Sequence, residues 1–229
     1  MLKANDELRL CADAHEEEVI IKDSYHVKEL AERDPSIEYI VDIGGNIGAA
    51  SLQFHSFFPN AKIILCEPEE MLMSYAKENT NNELIYVQKA VVGDARVKEV
   101  EFNICKWQGN HHVKGKFDMD IYGVPEVGSE IIGQRTVPAI SLWEIVAVNK
   151  FPRIDLLKID TEGSEGDILQ GYKTWLGSVK HIIGEFHSQK DLALIKDALE
   201  PTHNITQIDG YFHQPDGQIA NGNFYAELK

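Results

Sequence analysis

The chain has 229 residues, 43% hydrophobic and 26% charged, which are the proportions of a globular protein rather than a disordered one. Asp and Glu total 37 against 22 Lys and Arg, a net charge of −15 that repels phosphate backbones and anionic bilayers. Nucleic acid and membrane are therefore not expected partners, and the length suits one domain.

Cys11, Cys66 and Cys105 are widely and unevenly spaced, neither a disulfide framework nor a zinc motif, as in a reducing compartment. The opening MLKANDELRL is too acidic for a secretory leader, and no apolar run approaches the roughly 18 residues that span a bilayer. A cytoplasmic location is the expectation.

Residues 1–36 are polar with short apolar patches and read as an N-terminal cap; residues 37–229 read as the main domain. Glu38–Ile43 is a short apolar run rich in β-branched residues, the pattern of a strand buried on both faces. Lys62–Cys66, Leu84–Gln88, Ile154–Ile159 and His181–Phe186 repeat it. Helical patterns cover Ile47–Phe58, Glu69–Asn79, Ser141–Asn149, Ser164–Trp175 and Lys190–Leu199. This alternation predicts an α/β fold with a doubly wound sheet. At the end, Asn204–Ile208 and Asn223–Leu228 predict a closing antiparallel pair, with turns at Asp209-Gly210 and Pro215-Asp216-Gly217. Residues 107–137, with five glycines, fit neither period and predict an irregular functional loop.

Asp42-Ile-Gly44-Gly45-Asn46-Ile-Gly48 falls between the first strand and the first helix. Glycines there allow a tight turn and close backbone approach, and the helix start offers free N–H groups. Glu67 ends the next strand 19 residues after Gly48, where nucleoside-binding folds place a carboxylate for ribose hydroxyls. Asn46 stands where a dinucleotide fingerprint has its second glycine, which favours a nucleoside without phosphates over NAD.

Together with Cys66-Glu67-Pro68, Lys158-Ile-Asp-Thr-Glu-Gly-Ser-Glu165 and Gly184-Glu-Phe-His187, this loop resembles the FkbM family of S-adenosylmethionine-dependent methyltransferases. The resemblance runs from about residue 20 to the C-terminus. It implies the class I methyltransferase fold, a Rossmann-like seven-stranded sheet ordered 3-2-1-4-5-7-6 with strand 7 antiparallel. It also implies that Asp42, Gly44, Gly45, Asn46 and Gly48 surround the cofactor's methionine part and that Glu67 binds its ribose. Val91 would then flank the adenine and Asp94 would lie near its amino group. Gly45 departs from the family, which more often has alanine there.

Asp160 and Glu162 close one strand, and Glu185 and His187 close another, sharing one side of it because they lie two apart. In a doubly wound sheet both ends face the ligand crevice, so these four are the candidate catalytic residues, with Asp160 also beside the cofactor. Methyl transfer needs a deprotonated nucleophile; His187 is the preferred base, with Asp160 or Glu162 second. Mg²⁺ held by the same residues is the alternative, ranked below a metal-free route. Glu165 reads as a helix-start acid and Ser164 as the N-cap. Gly109–Lys116 departs from a phosphate loop in spacing, and His111-His112 reads as a polar, substrate-facing or solvated pair. Trp143 and Trp175 read as core.

The expected activity is transfer of a methyl group from S-adenosylmethionine, leaving S-adenosylhomocysteine, to a hydroxyl of a small sugar or natural product. N-methylation, an NAD-dependent oxidoreductase and a cofactor-binding fold without chemistry are the competing readings.

Overall fold

In the computed structural model, which describes residues 25–106, 110–116, 130–213 and 219–229, the apolar runs become the middle of one sheet. Strands β1 (Tyr39–Ile43), β2 (Lys62–Cys66) and β8 (Ile154–Ile159) lie side by side and parallel, with Ile40 opposite both Ile63 and Leu156. Successive side chains leave opposite faces, so the same short runs feed two cores. Ile40, Ile63, Leu156 and Ile183 pack with Val27 and Leu30 of α1 (Val27–Arg33) and Ala50 and Phe54 of α2 (Ala49–Phe57). Val41, Ile64, Leu157 and Ile182 pack on the other face. Their partners lie on α4 (Leu142–Val148), α5 (Glu165–Tyr172) and α6 (Gln189–Leu199). Helix α3 (Glu70–Asn79) joins the first layer by setting Met73 and Ala76 against Leu65.

Strand β3 (Ile85–Val87) flanks β2, and β9 (Val179–Phe186) flanks β8. The closing hairpin is β10 (His203–His213) and β11 (Ile219–Leu228), with β11 inserted between β9 and β10 and antiparallel to both. Across the sheet the order is β10-β11-β9-β8-β1-β2-β3. Numbered by first appearance in the chain, its seven strands read 3-2-1-4-5-7-6 from the β3 edge.

A second sheet was not evident from the sequence pattern. It has the order β4-β7-β5-β6, built from β4 (Ala90–Val92), β5 (Glu99–Cys105), β6 (His112–Val113) and β7 (Ile131–Ser141). The expected irregular stretch 107–137 therefore has a strand at its end; residues 107–109 and 117–129 lie outside the described residues. Val137, Ala139 and Ser141 are buried while Thr136 and Pro138 are exposed, a period of two hidden by Gly133 and by a proline inside the strand. The expected turn at Asp209-Gly210 is also corrected. Both residues lie within β10, where Gly210 faces Gly222 and the two backbones approach too closely for a side chain at residue 222. The Pro215-Asp216-Gly217 turn lies outside the described residues. Trp143 is 49% exposed and stacks at the surface on the partly buried Trp175, so it is not core.

One carboxylate sets where β1 begins. Asp155 Oδ2 accepts from the amides of Glu38 and Tyr39 at 2.9 and 3.0 Å, and Arg153 Nε donates to its other oxygen at 2.6 Å. Asp155→Ala should lower stability by about 1–3 kcal/mol, because two amides and a cation lose their acceptor together. Urea unfolding checks this: an unchanged midpoint would show that water replaces the carboxylate without loss.

Candidate functional site

The turn from β1 to α2 has a left-handed residue at Gly44 (φ 75°), where any Cβ would lie 1.6 Å from the Asp160 carbonyl oxygen. The amides of Gly44 and Gly45 both donate to the Cys66 carbonyl at 3.0 and 2.9 Å, which draws the turn against the end of β2. Asn46 is also left-handed (φ 45°), and its amide donates to Glu67 Oε2 at 3.1 Å. Gly48 (φ 87°) opens α2. Glu67, 5% exposed, also accepts from the Glu69 amide at 2.8 Å. Burial outweighs these bonds and pushes its carboxyl up to about 7.

Below the turn lies Lys158, set between Leu157 and Ile159 of β8 and only 3% exposed. Its Nζ donates to the Gly44 carbonyl at 2.6 Å and stands 3.3 Å from Asp42 Oδ1 and 3.6 Å from Asp160 Oδ2. Asp42, wholly buried, also accepts from Ser51 Oγ at 2.6 Å. The expectation that Asp42 faces a ligand is thus corrected: it holds the turn through Lys158 from behind. Asp160 Oδ2 accepts in addition from the Tyr25 hydroxyl at 2.9 Å.

A cleft runs along these strand ends. Gly44, Asn46, Glu67, Val91, Asp160 and Glu162 line it, as do Lys89, Thr161 and Ser164. Gly45 packs behind the turn against Leu65. Asp94 does not line the cleft. It is exposed in the turn after β4, where Arg96 clasps it and holds its carboxyl down at about 2. Phe102, His111 and Val113 of the second sheet close the cleft's other side. His111 was read from sequence as one of a substrate-facing or solvated pair; Phe102 and Val113 carried no signal, because β5 and β6 were themselves unread. His111 and His112 are buried, not solvated, and burial lowers the pKa of each. As neighbours they point apart: His111 lines the cleft, and His112 meets Asn103 at 2.9 Å.

At the ends of β8 and β9 the four candidate catalytic residues do meet. His187 Nε2 stands 3.3 Å from Glu162, 3.7 Å from Glu185 and 3.9 Å from Asp160, while Nδ1 stands 3.4 Å from Glu165. Burial opposes a charge on this imidazole, but Glu162, Glu165 and Glu185 together hold its pKa well above the usual histidine value. His187 thus sits amid four carboxylates, with Glu162 nearest its Nε2 and Glu165 facing its Nδ1. Burial raises Glu162 well above the carboxylate range and Glu185 to about 7, with the His187 charge pulling the other way. Glu165 is driven down to about 2 despite its burial, by His187 and by the amides of Thr161 and Gly163, to which it is bonded at 2.5 and 3.0 Å. Ser164 occupies the N-cap position, but its hydroxyl makes no capping bond.

Residues 42–209 match the family model described as the methyltransferase FkbM domain, which covers most of the chain. Among curated proteins, the hexuronic acid methyltransferase AglP of Haloferax volcanii is 30% identical over 90 residues, 38% of this chain and 37% of that protein. The match thus spans little more than a third of that relative's length. Among solved structures, magnesium protoporphyrin IX methyltransferase from Synechocystis with bound SAM superposes with a TM-score of 0.51 at 8% identity, covering 99% of this chain and 88% of that one. Precorrin-6y C5,15-methyltransferase from Geobacter metallireducens gives 0.50 at 12% identity over 93% and 88%. At these identities the structures speak for the fold.

Lys158→Met should cost about 3–5 kcal/mol, because it strands the Asp42 charge in a dry site. Adding Asp42→Asn should recover part of that loss. Equal melting temperatures for the single and double variants would show that the two charges are not coupled.

Proposed function

We propose that this chain, which belongs to the FkbM family of S-adenosylmethionine-dependent methyltransferases, transfers its methyl group to a hydroxyl of a small sugar-like acceptor. The turn at Gly44–Gly48, wired to Glu67 through the Asn46 amide, carries this reading. It presents backbone and one carboxylate to the cleft, with Val91 as an apolar wall. In it the ribose hydroxyls bond Glu67 and the methionine part follows the turn toward Asp160.

The base we assign is Glu162, the second choice from sequence. It lines the cleft beside Asp160, and its backbone is held left-handed at φ 56°, followed by Gly163 at φ 98°. A non-glycine residue kept there is strained, and strain of this kind collects at functional sites. Asp160 is already engaged by Tyr25 and Lys158. A hydroxyl that must lose its proton as the methyl arrives needs such a group, whereas a neutral amine does not.

The acceptor side is the flank of the cluster away from the cofactor. A pocket between α1 and the closing hairpin is lined by Tyr25, Arg33, Thr206, Asn223 and Tyr225, among others. Aromatic faces with amide, hydroxyl and guanidinium donors suit a sugar, and the name of the Haloferax relative points to the same class.

Cofactor binding should depend on pH through Glu67. Its carboxyl is raised to about 7 in the free protein, and ribose hydroxyls bond the ionised form better. Affinity is then low below that value and rises as pH increases through it. Calorimetry with S-adenosylhomocysteine should show a gain of about tenfold from pH 6 to pH 8. Glu67→Gln should weaken binding by about 10–100-fold and flatten the profile, since the bonds lost are to a charged group. An unaltered profile in the variant would remove Glu67 from the ribose. Glu162→Gln should lower kcat by about 10²–10⁴ with little change in that affinity; equal losses in both would mean that Glu162 only shapes the cleft.

A further inference from the structure

We propose that Asp160, Glu185 and His187 bind a divalent cation of the size and hardness of Mn²⁺ at the adjoining ends of β8 and β9. The inference does not rest on the cofactor reading above. One donor atom from each of the three lies within 4.8 Å of those from the other two. His187 Nε2 is 3.7 Å from Glu185 Oε1 and 3.9 Å from Asp160 Oδ1, too far for hydrogen bonds. The three groups thus face one another without direct hydrogen bonds among them, while Glu162 Oε2 stands 3.3 Å from the same nitrogen. Two donors on one ion at about 2.0–2.2 Å are separated by about 3 Å when adjacent and about 4.3 Å when opposite, and the observed distances fall between these limits.

A second observation comes from the neighbouring strand. Asn223 pairs with Glu185 and Gly222 with Phe186 in the antiparallel ladder of β11 on β9. Asn221 lies one residue beyond the last pair of that ladder, two from Asn223 and so on the same side of β11, the side that faces Glu185. Asn221 is only 8% exposed, and its carboxamide oxygen makes no hydrogen bond. A buried, unpartnered carbonyl oxygen costs free energy unless something accepts its lone pairs, and a bound cation or a water on that cation does so.

The donor types choose among cations. Ca²⁺ takes six to eight oxygens, and Mg²⁺ prefers oxygens and its own water. Two carboxylates with one imidazole suit Mn²⁺ and its first-row neighbours better. Glu162 is left outside the set and keeps its place on the cleft.

The test uses the full chain stripped with a chelator and titrated with Mn²⁺ alone, following the free-ion EPR signal. We expect one equivalent bound with micromolar affinity. Glu185→Gln and His187→Asn should each weaken binding by at least about tenfold. Glu83→Gln, in the loop before β3, should leave it unchanged. Because either ligand variant could fail to fold, electron spin-echo modulation of the wild-type complex provides an independent readout. A ¹⁴N coupling places an imidazole on the ion, and its absence would overturn the assignment, as would binding that is substoichiometric or unaltered in both variants. S-adenosylhomocysteine calorimetry on the same sample separates the two readings. Mn²⁺ binding without cofactor binding upholds this inference and sinks the methyltransferase site; the reverse does the opposite.

Discussion

The arrangement hangs on one buried ammonium group. Lys158 projects from the middle of a sheet between two aliphatic neighbours, and it reaches the Gly44 carbonyl, Asp42 and Asp160 together. It thereby locks the last residues of β1 and β8 to the turn they support, so the turn cannot relax without unburying a charge. A buried cation survives only with partners of this kind. Glu67, Asn46 and the left-handed Gly44 inherit their positions from that lock, because each is bonded to the turn or pressed against β8.

Beyond the lock, the site is governed by an excess of carboxylates. Asp160, Glu162, Glu165 and Glu185 crowd one imidazole, and Asp191 adds a fifth acid whose carboxyl is raised to about 8 by burial and by Glu165 beside it. Residue type alone makes His187 the natural proton acceptor, since its free pKa lies nearest neutrality. Here four carboxylates stand within 4 Å of its ring, and they raise its pKa against the burial that lowers it.

The sheet was legible because its strands are buried on both faces. A run such as Lys62–Cys66, apolar after its first residue and too short for a helix, fits a buried strand and little else. Lys62–Cys66 and Ile154–Ile159 match their strands end to end. The Gly44–Gly48 turn and Glu67 were legible because their spacing reflects a backbone requirement. The second sheet was not: β5 and β7 are half exposed, with Glu99, Glu101, Arg135 and Pro138 interrupting their alternation. Tyr25 and Lys158 were missed for another reason. Tyr25 stood outside any motif and Lys158 only opened one, and their roles come from tertiary contacts 135 and 114 residues away in sequence. Asp94 shows the converse: a plausible motif position is found in an exposed turn, paired with an arginine two residues on.

The insertion of β11 between β9 and β10 separates the stretch that is recognisable by similarity from the stretch that folds. The family match spans residues 42–209, yet the strand that hydrogen-bonds β9 along Glu185 and Phe186 is supplied by residues 219–228. Tyr25 and α1, which cover the opposite face, precede the match as well. Cutting the chain at the edges of similarity would leave the Glu185 strand with an unpaired edge and Asp160 without its tyrosine. The middle of this sequence carries the site, whereas its fold is completed from both flanks.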